Sequence, residues 1–80
     1  MTNVEIEYCV PCGMLPRAQD LQEAILEEFG ERVDSVALVT GDSGVFKVHV
    51  DGEEVFDKED EAYDEAAIVD EVRSRVGATA

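Results

Sequence analysis

The feature that most constrains this chain is a change of hydrophobic period at one short motif. Polar and apolar residues alternate over residues 3–8, which predicts a strand with one wet face. After the segment CVPCG at residues 9–13, apolar residues recur at helical spacing and predict a helix over residues 14–29. A close pair of cysteines therefore stands where a strand ends and a helix begins.

Two β-branched runs follow the first helix. They cover residues 35–40 and 45–50, and the segment GDSG at residues 41–44 separates them. A short glycine-containing connection between two such runs predicts a hairpin. Asp51-Gly52 predicts a second hairpin, which leads into a brief strand over residues 54–56.

A second helix is predicted from residue 61 onward. Its apolar face is expected to consist of Ala66, Val69, Val72 and Val76, with Gly77 after the last of them. Residues 78–80 are expected to form a frayed end.

The element order is β-α-β-β-β-α, which predicts an α/β fold of two layers. The first crossover makes its two strands parallel and the hairpins add antiparallel neighbours, so the sheet is mixed. Because each strand alternates, both helices should cover one face of the sheet. We find no linker or repeat, and residues 1–80 are predicted to be a single domain with a small core.

The charge of the chain excludes several classes of partner. Twenty acidic residues against six basic ones give a net charge of −14, which disfavours nucleic acid and anionic membrane surfaces. The acids are spread along the sequence, which favours a role in solubility over a specific site for a cation or a basic partner. Acid in place of lysine suits concentrated salt, so we hypothesise a halophilic source and a stability that rises with potassium chloride.

No stretch of the sequence is long and apolar enough to span a bilayer, and residues 1–8 lack the features of a secretory signal. We therefore expect a cytoplasmic protein. Thiols are kept reduced in the cytoplasm, so the cysteine pair is expected to be catalytic or metal-binding rather than a structural staple.

The motif itself favours redox chemistry at Cys9 and Cys12. The start of a helix stabilises a thiolate, and the spacing lets the two sulfurs close a disulfide. Pro11 restricts the turn between them, and Gly13 is expected to leave room beside it. A zinc site, a structural disulfide and inert cysteines remain as alternatives, although His49 is the only other soft or imidazole ligand and no metal is expected.

Apolar residues surround the cysteines and could dock a partner. They are Val10, Met14 and Leu15, of which Met14 or Leu15 could equally serve helix packing. Arg17 is predicted to pair with Asp20 on the surface of the helix. His49 is expected on the wet face of its strand.

Three segments carry a resemblance to a known family. VEIEYCVPCG at residues 4–13, GDSGVFKV at residues 41–48 and VF at residues 55–56 resemble the selenoprotein W-like (Rdx) family of small thioredoxin-like proteins. The resemblance implies a thioredoxin-like fold and a redox role, in a selenium-free member with Cys12 at the position where relatives carry selenium. Residues 57–63 are acidic where the family usually has a basic stretch, so the partner need not be shared.

We accordingly expect a thiol-disulfide oxidoreductase without a cofactor. It should be a monomer whose partner is a small thiol or a protein bearing a thiol or disulfide. The rival hypothesis is a non-enzymatic adaptor domain whose cysteines sense redox state or share a metal. Helix-end geometry favours Cys9 as the attacking sulfur, on the expectation that it is the more exposed, whereas the resemblance favours Cys12.

Overall fold

The computed structural model describes residues 2–77 of the chain, so the expected frayed end at residues 78–80 lies outside the described part. Four strands and two α-helices follow one another, with one 3-10 turn after the first helix. In chain order they are β1 (Asn3–Cys9), α1 (Leu15–Phe29), the turn Gly30–Arg32, β2 (Ser35–Gly41), β3 (Phe46–Val50), β4 (Glu53–Asp57) and α2 (Glu65–Gly77).

The sheet is mixed and has the strand order β2-β1-β3-β4. Strand β1 is central, parallel to β2 on one side and antiparallel to β3 on the other. This arrangement confirms the predicted fold class and the element order β-α-β-β-β-α. The prediction of a hairpin across residues 41–44 is wrong. Strand β1 lies between β2 and β3 and pairs with both, so these two strands do not pair with each other.

The segment between β2 and β3 is nevertheless a tight turn. The N–H of Val45 donates to the carbonyl of Asp42 at 3.2 Å, and Ser43 and Gly44 have φ angles of 59° and 78°. The residues at 41–44 therefore predicted the turn correctly, but they did not predict which strands pair. The hairpin predicted at Asp51-Gly52 is confirmed, since β3 and β4 pair antiparallel on either side of it.

The core lies between one face of the sheet and the two helices. The strands contribute alternate residues to it, among them Val4 and Ile6 of β1 and Phe46 and Val48 of β3. The outer face carries mostly polar side chains. Burial alternates along β1 and β3, as the sequence predicted, because successive side chains of a strand point to opposite faces.

Helix α2 begins later than residue 61, at Glu65. The carboxylate of Asp64 accepts the N–H of Ala67 at 3.3 Å, which is the contact of an N-cap residue. Its buried face includes Ile68, Val72 and Val76, whereas Ala66 is exposed, contrary to prediction. No helix within residues 2–77 has the length and hydropathy to cross a membrane.

Candidate active site

Cys9 and Cys12 are joined by a disulfide at the junction of β1 and α1. Cys9 is the last residue of β1, Cys12 lies in the following loop, and their Cα atoms are 5.3 Å apart. This separation falls within the usual range for a disulfide. The two thiols can therefore form a disulfide without a rearrangement of the backbone.

A turn over residues 10–13 sets the position of the second cysteine. The N–H of Gly13 donates to the carbonyl of Val10 at 3.3 Å, and Pro11 occupies the turn position that its fixed φ suits. Gly13 has a φ of +73°, and a Cβ built on it meets nothing within 4 Å. The glycine is therefore required by its backbone conformation and not, as predicted, by the need for room.

The two cysteines differ in their access to solvent. Cys9 is fully buried, while Cys12 is exposed. The expectation that the first cysteine is the more exposed one is wrong. The physical reason is that Cys9 is still part of the central strand, whose end is covered by its neighbours, and the chain leaves the sheet only after it.

The start of α1 lies close to Cys12 in the chain. The helix begins at Leu15, Met14 occupies the N-cap position without a side-chain capping bond, and Pro16 lies in the first turn. The first N–H groups of a helix have no partner within it and carry partial positive charge. A thiolate at Cys12, three residues before the helix, is better placed to benefit than one at Cys9.

The apolar residues around the pair divide into two kinds. Met14 is half-buried and packs against the core, whereas Val10 and Leu15 are exposed. The structure therefore gives Met14 a packing contact. Docking of a partner at Leu15 stays a prediction.

Arg17 does not form the predicted ion pair with Asp20. Its guanidinium lies over the ring of Tyr63, 4.5 Å from the centroid. Burial raises the pKa of Tyr63 above its usual value, and the nearby Glu65 carboxylate adds to the rise while Arg17 opposes it. The arginine thus ties the first helix to the segment before the second.

His49 lies on the outer face, paired in register with Glu5 and 3.9 Å from a carboxylate oxygen of Glu54. Within residues 2–77, one group of side chains is close enough to share a metal ion, formed by Glu54, Asp57 and Asp60. Lys47 approaches the first two of these carboxylates at 4.0 and 3.9 Å. Neither cysteine and no histidine belongs to this group.

Gly41 supports the site, although the sequence suggested only a turn glycine there. Its carbonyl accepts the N–H of Val10 at 3.1 Å, directly after the first cysteine. A Cβ on Gly41 would lie 2.7 Å from Cγ1 of Val45 and 3.0 Å from Oε2 of Glu7. A side chain would push these neighbours away, and no local sequence pattern reveals such a constraint.

Comparisons with known proteins agree with this architecture. The model of the Rdx family matches residues 3–74 of the chain. A crystal structure from Bordetella parapertussis is 32% identical, with 92% of this chain and 96% of that chain covered and a TM-score of 0.87. A selenoprotein W-related protein from Vibrio cholerae is 25% identical, covers 94% and 96% of the two chains, and has a TM-score of 0.87. No curated protein matches the chain.

Proposed function

This chain belongs to the Rdx family, and on that basis we propose that it is a small thiol-disulfide redox protein that works through Cys9 and Cys12. The observation that carries the proposal is the disulfide at the strand-helix junction, in which Cys12 is an exposed residue and Cys9 a buried one. An accessible attacking thiol with a second thiol beside it to resolve the mixed disulfide is an arrangement that suits reversible exchange.

In the proposed reaction the Cys12 thiolate attacks a disulfide sulfur of the partner. A bond forms between Cys12 and that sulfur, and the other partner sulfur leaves as a thiolate. The Cys9 thiolate then attacks Cys12 Sγ, which forms the Cys9–Cys12 disulfide and releases the second partner thiolate. Two electrons pass from the protein to the partner. Two small thiols, or one dithiol, of the cytoplasmic pool return them by reducing the Cys9–Cys12 disulfide and becoming a disulfide themselves.

Two arguments assign the attack to Cys12 in place of Cys9. Cys12 is the exposed residue of the pair, which favours approach of a partner, and the uncapped start of α1 is nearer to it in the chain. The helix-end argument, which we first applied to Cys9, transfers to Cys12 once the burial of Cys9 is known. The buried thiol is suited to resolution, because it only has to reach a neighbour across the turn.

The assignment is tested with Cys9→Ser and Cys12→Ser, each reacted below neutral pH with hydroxyethyl disulfide, a small neutral substrate. Cys9→Ser should form a stable mixed disulfide rapidly, whereas Cys12→Ser should react slowly. The reverse pattern would make Cys9 the nucleophile. If both variants and the native protein show no exchange, the redox function is wrong and the adaptor hypothesis gains, which unchanged partner binding by the double-serine variant would support.

A further inference from the structure

The free edge of β2 has open backbone hydrogen-bonding groups beside the cysteines. Within residues 2–77, β2 pairs only with β1, which leaves its other edge without a strand. The carbonyl of Val36 faces this edge, since it accepts the side-chain amide of Gln22 at 2.6 Å. Alternate residues of a strand direct their N–H and C=O groups to the same side, so Leu38 and Thr40 face the free edge too.

This edge lacks the features that normally prevent a second strand from adding to it. The sequence of β2, SVALVTG, contains no charged residue and no proline, in a chain of which 32% is charged. Natural proteins usually protect edge strands with lysine, proline, bulges or a covering element. Among residues 2–77, Gln22 covers the carbonyl of Val36, and no hydrogen bond is formed at the half of the edge nearer the cysteines.

Exposed apolar side chains lie on β2 and on the helix and loop next to it in the fold. Leu15 and Leu26 are 41% and 43% exposed, and they lie on the stripe of α1 that contains Gln22. Val39 of β2 is 38% exposed, and Val10 beside the end of β2 is 49% exposed. These four are the large hydrophobic residues that the described part of the chain exposes, with Val39 on the outer face of the sheet and Leu15 and Leu26 on the helix that covers the other face.

The edge leads directly to the redox site. Cys9 is paired in register with Gly41, the last residue of β2, and the N–H of Val10 donates to its carbonyl. A strand added beside Leu38 and Thr40 would run on toward the loop that holds Cys12. Backbone recognition along an edge with side-chain pockets beside it is a known mode of peptide binding.

We propose that an extended, positively charged peptide segment of the disulfide partner adds to the sheet beside Leu38 and Thr40 and presents its sulfur to Cys12. The inference rests on the proposed redox function and names the class of partner. Main-chain hydrogen bonds and the exposed apolar residues supply the contact, and the net charge of −14 selects a cationic segment over an anionic one.

A second copy of this chain fits the edge less well. An antiparallel two-fold pairing centred on Leu38 would set Val36 of each copy opposite Thr40 of the other, and Gln22 already occupies the Val36 carbonyl. Each copy also carries a charge of −14, which opposes their approach. A peptide needs only the open half of the edge and extends past its end.

The test uses a short peptide of alternating valine and lysine around one cysteine, activated as a disulfide with thionitrobenzoate. Cys12 of the reduced protein attacks the peptide sulfur, and thionitrobenzoate leaves and is measured by absorbance. Two isomers carry N-methyl groups on opposite sets of alternate amides. The isomer blocked on the amides that face Leu38 and Thr40 should react about tenfold more slowly than the other, because main-chain hydrogen bonds are lost.

Variants of Thr40 give the matched test on the protein. Thr40→Pro removes the N–H that faces the free edge, a position where proline is tolerated, and Thr40→Ala removes only the side chain. Thr40→Pro should slow the peptide reaction about tenfold and leave hydroxyethyl disulfide unaffected, while Thr40→Ala should change neither. If Thr40→Pro does not fold, the proposal is tested by the reaction rates of the two N-methylated peptides with the native protein.

Equal rates for the two methylated isomers, together with normal exchange of hydroxyethyl disulfide, would overturn the inference and leave the redox function intact. Loss of exchange with every disulfide would instead contradict the redox function. A stable dimer in which the amides of Leu38 and Thr40 are protected from hydrogen exchange would also overturn the inference, in favour of a second copy. A faster reaction with a glutamate analogue of the peptide than with the lysine peptide would contradict the selection by charge.

Discussion

The two edges of the sheet are built differently. Strand β4 is five residues long, contains three acids and pairs with β3 through a register shift near Val48 and His49. Its acids form ion pairs, among them Asp57 with Lys47 and Glu53 with Arg75 at 3.3 Å. Strand β2 is longer, carries no charge and is covered at one carbonyl by Gln22.

The packing beneath the two edges differs in the same way. Phe46, Phe56 and Tyr63 form a cluster of T-shaped contacts on the β4 side, with ring centroids 5.5 to 6.3 Å apart. Strand β2 contributes no aromatic residue to the core, and its Leu38 is half-buried. Charge and a bulge are the usual means of keeping an edge from pairing, so their use at one edge alone indicates that the other is left available.

The largest expected difference between the edges concerns their side-chain packing. Phe56→Ala should lower the free energy of unfolding by about 3–5 kcal/mol, because it empties a buried site within the aromatic cluster. Val39→Ala on β2 should lower it by less than about 1 kcal/mol, because that side chain is exposed. Urea unfolding of both variants measures this contrast, and equal losses would contradict it.

A smaller effect is expected where Gln22 covers the β2 edge. Gln22→Ala should reduce the free energy of unfolding by about 1 kcal/mol, since it removes the donor of a part-buried hydrogen bond to the Val36 carbonyl. Gln19→Ala, at an exposed position of the same helix, is the control and should have little effect. If the two variants are equally stable, the side chain does not protect the edge.

The ion pairs of the β4 edge should contribute less. Lys47→Ala is expected to lower the free energy of unfolding by about 0.5 kcal/mol in dilute buffer, because the lysine lies between Glu54 and Asp57. In molar potassium chloride this difference should vanish through screening, while the native protein gains stability as its self-repulsion is reduced. Thermal melts of both proteins across a salt series test the two effects separately.

The smallest effect at neutral pH is expected for Tyr63→Phe, which keeps the ring contacts. Because the pKa of Tyr63 is raised in the folded state, its contribution to stability is fully present below the unfolded value of about 10. That contribution should be lost as the pH rises through the folded pKa, and Tyr63→Phe should remove this part of the pH dependence. Alkaline unfolding curves of the two proteins provide the measurement, and parallel curves would contradict the prediction.

Periodicity and turn residues were enough to predict the elements and their order. Alternation over β1 and β3 predicted which side chains are buried, because the two faces of a strand have different surroundings. The segment around Cys9 and Cys12 was predicted to join a strand to a helix, and it does. The second helix was predicted too early, since nothing apolar marks the cap at Asp64.

Strand pairing and the exposure of each cysteine were decided only by the tertiary structure. The sequence around residues 41–44 describes a turn, but the insertion of β1 between β2 and β3 depends on contacts between distant parts of the chain. The same insertion buries Cys9 and leaves Cys12 exposed. Local chemistry thus determined by itself that the chain carries a close cysteine pair at a helix start. Long-range packing decided which cysteine is buried and which edge of the sheet is unpaired in the described residues, because both depend on what covers a residue from elsewhere in the chain.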